Sequence, residues 1–253
     1  MSELFHIDQW VYMVWIAGAL TVIVLAAGAR LVAGRVVAEG RFANFVEAMV
    51  DFARENIAES FLGEHAKKWF GFVATLFFFI LFANLLGKLP GPVAGSLEHQ
   101  HFWLESPTGN INVTAALAAL VFVVAQVVGL WKLGLVGYCK KKFIMPGAPL
   151  ALKIPGVLIM ILVLLAEPFS LCVRLFANMT AGHRVIVTFM VADMVGGMWL
   201  LQTAPGWIKP LSVLPFVLSV ALMAFELVIA FIQAFIFALL SALYLSESLE
   251  EHH

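Results

Sequence analysis

The chain has 253 residues, of which 62% are hydrophobic and only 12% are charged, and its formal net charge is -1. A soluble globular domain carries about 25% charged residues, so the composition excludes an ordinary soluble domain and indicates a polytopic membrane protein. The near-neutral charge argues against nucleic acid as a partner. The two cysteines, Cys139 and Cys172, indicate neither a disulfide framework nor a metal site.

The first apolar run predicts a membrane-spanning helix over residues 10–31. It is long enough to cross a hydrocarbon layer of about 30 Å. The residues before it include Glu3 and Asp8 but no basic residue, which is not typical of a signal peptide. Arginines follow it at Arg35 and Arg41. Because positive residues favour the inner side of a membrane, we expect the N-terminus outside.

Residues 34–68 mix charged and apolar side chains at spacings of three and four, which predicts an amphipathic helix. Two interpretations remain open for this segment. In the first, the helix lies on the inner membrane surface or packs against a partner subunit. In the second, it is a solvated linker helix.

Two further spans are predicted over 69–88 and 113–131, joined by a loop on the outer side. The second of them is followed by a group of lysines. This excess of positive charge supports an inner position for the loop after span three. The lysines concerned are Lys132, Lys140, Lys141, Lys142 and Lys153.

The last two apolar regions, 154–195 and 211–246, are too long for upright spans. Forty helical residues extend for about 60 Å, twice the thickness of the hydrocarbon layer. We therefore expect the first region to tilt steeply, to break near Pro168, or both. Glycines and prolines over 196–210 predict an outer turn, and the acidic tail is expected inside.

The region 154–195 contains an unusual polar stretch. An arginine in the middle of a membrane span costs about 2.5–3.5 kcal/mol on insertion scales, so such a residue usually serves a function. At about 100° per residue, Arg174 shares one helical face with Ser170 and Asn178, and the other residues of that face are alanines. Small residues allow a second helix to approach closely. The alternative is that Arg174 reaches the membrane interface or pairs within the chain.

The polar stretch carries a family resemblance. The sequence Arg-Leu-Phe-Ala-Asn-Met-Thr-Ala-Gly-His over 174–183 resembles the signature of the a subunit of F-type ATP synthases. Further blocks at 226–237, 106–114 and 84–90 also resemble this family and occur in its order. The resemblance implies an all-α membrane subunit, with about five spanning helices and one amphipathic surface helix in a single membrane domain. It also implies that the last two spans are strongly tilted against a rotor ring.

The resemblance assigns roles to the remaining polar residues. In this family a carboxylate and an imidazole occupy the positions of Glu226 and His183, so we expect a Glu–His pair that exchanges protons. A static clamp between two helices is the alternative. Asp193 is expected at the outer mouth, although simple exposure at the interface would also explain it. Asn178 and Gln233 are expected to hold relay waters, and Gln233 also to orient Arg174.

The chain departs from the family pattern at one point. Many members carry an acid about eight residues before the proline, where this chain has Met160, and a basic residue immediately before the proline, where it has Glu167. We expect Glu167 to take over the role of the inner half-channel acid. This departure leaves the residues of the inner exit path unassigned by the family pattern. It does not affect the family resemblance itself.

The implied function is proton conduction through two offset half-channels, coupled to rotation and ATP synthesis. The subunit is expected to be non-catalytic and to need no cofactor or metal. Its implied partners are the c-subunit ring, the peripheral-stalk b subunits, the rest of the synthase and the lipid bilayer. A bacterial plasma membrane, with the C-terminus in the cytoplasm, is the expected location. A secondary transporter or antiporter and a structural membrane scaffold are the alternative functions, although no repeated halves are evident.

Overall fold

The computed structural model describes residues 9–34, 41–88, 106–143, 150–203, 205 and 213–249, and some side chains within these ranges are not described. Within these ranges the chain is almost entirely helical and contains no β-strand. Five helical segments are long and apolar enough to cross a membrane, which confirms the expected all-α polytopic fold. They are Trp10–Arg30, Ala43–Leu86, Ile111–Lys142, Pro155–Gly182 and Val217–Leu249.

The amphipathic segment packs against the rest of the chain. Helix α1 is Gln9–Gly34 and α2 is Arg41–Ala53; π-helical and short helical turns then lead to α3, Ala66–Leu86. One face of the segment is buried, including Val46, Val50 and Ile57. The Phe52 ring lies 6.2 Å from Phe77 of α3, measured between ring centroids. The apolar face is therefore covered by the chain's own helices, which is not the arrangement of a solvated linker.

Helix α4, Ile111–Phe143, folds back at a glycine. Gly134 has φ 67° and ψ 167°, a conformation that is essentially restricted to glycine. The Tyr138 hydroxyl donates a hydrogen bond to Oε1 of Gln126. In a straight helix twelve residues would separate these two positions by about 18 Å. The turn at Gly134 therefore lays the end of α4 back along its own preceding turns.

Helix α5, Leu150–Thr203, is continuous over 54 residues and does not break at Pro168. A helix of this length extends for about 81 Å, far more than a perpendicular crossing requires. It also continues through Gly196 and Gly197, beyond the expected end at residue 195. Prolines and glycines interrupt membrane helices less than soluble ones, because unpaired backbone groups are costly in lipid and the helix satisfies most of them.

Helix α6, Val213–Leu249, packs against α3, α4 and α5. Its buried face consists mainly of small residues, including Ala234, Ala238, Ser241 and Ala242. Small side chains let helices approach closely, which is a common way for membrane helices to associate. The opposite face of α6 is apolar and exposed, for example at Phe225, so it is suited to contact with lipid or another subunit.

Candidate functional site

The Arg174 side chain lies on an uncovered face of α5 and is exposed. On the other side of the helix Leu171, Leu175 and Met179 are buried at 2%, 0% and 5% exposure. The Arg174 guanidinium donates one long hydrogen bond of 3.4 Å, from Nη2 to the Ser170 hydroxyl. Within the described part of the chain no carboxylate forms an ion pair with it. The guanidinium therefore has few partners within its own chain.

Glu226 of α6 pairs with a residue that the sequence analysis did not assign to the site. Its Oε2 atom forms a buried ion pair with the Lys88 ammonium, and the two side chains are only 7% and 8% exposed. The expected His183 partner lies outside the described side chains, so the described partner of Glu226 is Lys88. Lys88 lies two residues beyond the end of α3 at Leu86, and its long side chain reaches the carboxylate from that helix end.

A cavity of about 250 Å³ surrounds this pair, and we call it the Lys88 cavity. Its polar lining consists of Asn84, Lys88, Asn178 and Glu226, and apolar side chains form most of the remaining wall. Glu226 Oε1 is buried and has no hydrogen-bond partner among the described residues. A buried carboxylate oxygen without a partner is costly, and the adjoining cavity is large enough to hold water.

Gly182 lets the ion pair lie directly against α5. A Cβ atom added at this glycine would lie 3.2 Å from both Glu226 Oε2 and Lys88 Nζ. This separation is shorter than ordinary van der Waals contact between a carbon atom and its neighbours. The glycine of the arginine block thus has a packing role as well as a place in the motif.

A hydrogen-bonded chain of polar side chains fixes the walls of the Lys88 cavity. The Ser106 and Thr108 hydroxyls lie 2.8 Å apart, and Thr108 donates to Asn84 Oδ1 at 2.7 Å. Asn84 Nδ2 donates in turn to the Ala230 carbonyl of α6 at 3.3 Å. Asn84, Ser106 and Thr108 therefore join α3, the segment just before α4, and α6.

Gln233 is buried at 6% exposure, and its Nε2 atom has no hydrogen-bond partner among the described residues. The structure does not join it to Arg174, whose described hydrogen bond is to Ser170. Asn178, one turn from Arg174 along α5, lines the Lys88 cavity as a relay residue would. The side chains of His183 and Asp193 lie outside the described residues.

Glu167 is a half-buried residue of α5 that lies near the C-terminal end of α6. It lies within electrostatic range of Lys142 and Glu247. Tyr138, from the folded-back end of α4, and Tyr244 of α6 both lie within electrostatic range of Glu167. We call these five residues the Glu167 cluster. The Lys142 ammonium lies 3.6 Å from Glu247 Oε1, so the basic end of α4 is tied to the acidic end of α6.

Arg174 lies between the two polar groups along α5. It is eight residues from Gly182, which lies against the Lys88 cavity, and seven residues from Glu167. At 1.5 Å per residue these separations are about 12 Å and about 10 Å in opposite directions. The helix thus places a permanently charged group between two separate polar regions.

Sequence reasoning missed Lys88 and Tyr138. Lys88 is the last residue of the predicted span 69–88, and its partner lies 138 positions further along the chain. Tyr138 reaches its site only because α4 folds back at Gly134. The signal available for Lys88 was a lone lysine at the end of an apolar helix, within the segment 84–90 that resembles the family.

Comparison with known proteins identifies relatives over nearly the whole chain. The family described as ATP synthase A chain matches residues 11–246. The chain is 36% identical over 248 residues to an ATP synthase subunit a from Myxococcus xanthus, covering 98% of this chain and 74% of that protein. An ATP synthase subunit a from Gluconacetobacter diazotrophicus is 37% identical, covering 98% of this chain and 90% of that protein.

The relatives differ in length. An ATP synthase subunit a from Anaeromyxobacter dehalogenans is 37% identical over 247 residues, which is 96% of this chain but 58% of that protein. The residues matched by the family include the arginine block, the lining of the Lys88 cavity and every member of the Glu167 cluster except Glu247. These matches confirm the resemblance that the arginine block indicated.

Proposed function

Because this chain belongs to the ATP synthase A chain family, we propose that it is the proton-channel subunit in the membrane sector of a rotary F-type ATP synthase. In this role it is a non-catalytic stator subunit that passes protons to and from carboxyl groups on a ring of c subunits. The resulting rotation drives ATP synthesis elsewhere in the complex.

The position of Arg174 between two polar regions is the observation that carries this proposal. A single continuous polar path would let protons cross without moving a rotor. Two regions separated by a guanidinium require the proton to leave this chain and travel on another. Arginine suits the separating position, because it stays charged and offers no proton for relay.

The Lys88 cavity is the proposed uptake route. Lys88 holds one oxygen of the Glu226 carboxylate, and Glu226 itself lines the cavity in which water can bind. Asn178 provides an amide that can orient this water on the side towards Arg174. We assign His183 and Asp193 to the outer part of the same route. Lys88 is thus a positioning residue for Glu226.

Arg174 is the proposed contact with the ring. A ring carboxyl that has taken up a proton is neutral and can move into lipid, where a charged carboxylate is costly. On the other side the proton is released, and the carboxylate that forms is attracted by the guanidinium. Each proton that crosses a potential of 100 mV supplies about 2.3 kcal/mol for rotation.

Glu167 and its cluster form the proposed release route. Glu167 lies about two helical turns from Arg174, as an acceptor beside the ring would. The tyrosines and Lys142 add hydroxyl and ammonium groups that can bind water. Gln233 is a second amide in the membrane core, and we assign it to the water network near the ring.

The orientation and partners complete the proposal. The chain is a multi-pass membrane protein, and we place its N-terminus outside and its C-terminus in the bacterial cytoplasm. The uncovered face of α5 and the exposed face of α6 are assigned to the c ring. Peripheral-stalk b subunits are expected to hold the chain still during rotation.

Arg174→Ala tests the proposal in the assembled complex. In inverted membrane vesicles, we expect ATP-driven acidification to be abolished, because nothing then favours proton release from the ring or separates the two routes. Assembly of the complex is measured in parallel by purification through another subunit. The membrane should also leak protons more readily, since the barrier between the routes is lost.

Arg184→Ala is the matched control, since Arg184 is also exposed on α5 and has no assigned role. We expect this variant to pump at a rate close to that of the wild type. Normal pumping by an assembled Arg174→Ala complex would overturn the proposed role of the arginine.

A further inference from the structure

A second cavity shares no lining residue with the Lys88 cavity and lies at the end of α6 that carries Glu247. Its volume is about 770 Å³, and it lies between α3, α4 and the end of α6. Its long wall is aliphatic and includes Val123, Val124, Val127 and Val128. The cavity is large enough for a substantial part of a lipid or another drug-sized molecule.

The rim of this cavity is basic. Lys68, Lys132 and His65 line it, and the described lining contains no acidic residue. Lys132 also donates a hydrogen bond to the Leu249 carbonyl at the end of α6. Lys68 is exposed, and its ammonium lies 5.8 Å from the centroid of the Trp69 ring. The apolar wall and basic rim match an acyl chain and an anionic headgroup.

Two tryptophans that line the cavity provide a second, independent indication. Trp69 is half-buried. Trp131 also lines the cavity and is 85% exposed, as is typical of tryptophans at a membrane interface.

We propose that this cavity is a binding site for one anionic phospholipid. The acyl chain lies along the valine wall, and the phosphate lies near Lys68 and Lys132. Basic pockets between membrane helices on the cytoplasmic side are suited to anionic headgroups. Placing the lipid in the inner leaflet rests on the orientation proposed above, but binding itself does not depend on proton transport.

Photo-labelling of the whole complex tests the site. The purified complex is reconstituted into phosphatidylcholine vesicles that contain a photoactivatable phosphatidylglycerol or a photoactivatable phosphatidylcholine. We expect phosphatidylglycerol to label the α3 and α4 residues of the cavity more strongly. Lys68→Gln should reduce this labelling about fivefold, the factor that corresponds to about 1 kcal/mol per basic residue near an anionic surface.

Lys67→Gln is the matched control, because it removes the same charge from the adjacent exposed residue, which does not line the cavity. We expect it to leave the labelling nearly unchanged. Val127→Trp fills the aliphatic wall while keeping every charge, and should reduce labelling by phosphatidylglycerol at the cavity. This second variant keeps the test decisive if Lys68→Gln impairs assembly.

Equal labelling by the two lipids, or equal effects of Lys67→Gln and Lys68→Gln, would overturn the proposal. Absence of label from α3 and α4 in the intact complex would also overturn it if another subunit covers this face, because the face would then be a protein interface. The lipid pattern should persist in the Arg174→Ala complex. Failure of the lipid site and failure of the proton-channel role are therefore separate results.

Discussion

The two charged sites on and around α5 differ in how their charges are paired. In the Lys88 cavity the Glu226 carboxylate meets an ammonium from the same chain, and both are more than nine-tenths buried. At Arg174 the guanidinium is exposed and has only the Ser170 hydroxyl as a described hydrogen-bond partner. The chain therefore supplies both charges of the cavity pair by itself, whereas its described residues supply no carboxylate that forms an ion pair with Arg174.

This difference follows from the cost of charge in a membrane. A buried charge persists when it is paired and hydrogen-bonded, as in the cavity. An exposed intramembrane arginine that faced only lipid would cost several kcal/mol. A partner whose acidic groups pass this face offsets the cost. The comparison supports the assignment of the uncovered face of α5 to the c ring.

Breaking the cavity pair is expected to have the largest effect on stability. Lys88→Met leaves the Glu226 carboxylate buried without its counter-charge, which costs about 3–5 kcal/mol. We expect a smaller amount of assembled complex and a lower thermal midpoint for this subunit in the purified complex. Both quantities are measured against the wild type in the same detergent.

The double variant Lys88→Met/Glu226→Met is the control for that loss. An apolar pair of similar volume can replace a buried ion pair at little cost, so most of the stability should return. Proton pumping should stay impaired, because the carboxylate of the uptake route is gone. If the double variant pumps normally, Glu226 is only a clamp between helices.

Crowding the cavity pair through α5 is expected to have a smaller effect. Gly182→Ala places a methyl group 3.2 Å from the carboxylate and the ammonium, and overpacking of this kind costs about 1–3 kcal/mol. The thermal midpoint should therefore fall. Gly71→Ala on α3 is the matched control, since nothing lies within 4 Å of its added Cβ. In Gly71→Ala the gain in helix propensity should leave the thermal midpoint equal to that of the wild type or higher. A thermal midpoint of Gly182→Ala above that of the wild type would contradict the close packing.

The sequence was sufficient to predict the all-α membrane fold, because long apolar runs bounded by charged residues predict membrane-spanning helices. It also indicated Arg174, since the cost of an intramembrane charge is a local property. Both predictions depend on neighbouring residues only.

Other features depend on contacts between distant segments. The Lys88–Glu226 pair joins positions 138 apart, and the charge pattern alone gives no reason to choose Lys88 over His183. The fold-back of α4 depends on the backbone conformation of Gly134. Pro168 was a plausible break, but in an apolar surrounding the remaining backbone hydrogen bonds keep α5 continuous.

Disulfide cross-linking tests most directly whether the arginine face contacts the ring. Cys139 and Cys172 are first replaced by alanine, and a cysteine is introduced at Ala177, which is exposed one turn from Arg174. A second cysteine is placed next to the ring carboxyl on the c subunit. We predict an oxidant-dependent cross-link between the two subunits, and none from Val123→Cys, which is exposed on α4. A cross-link from position 123 but not from position 177 would contradict the account.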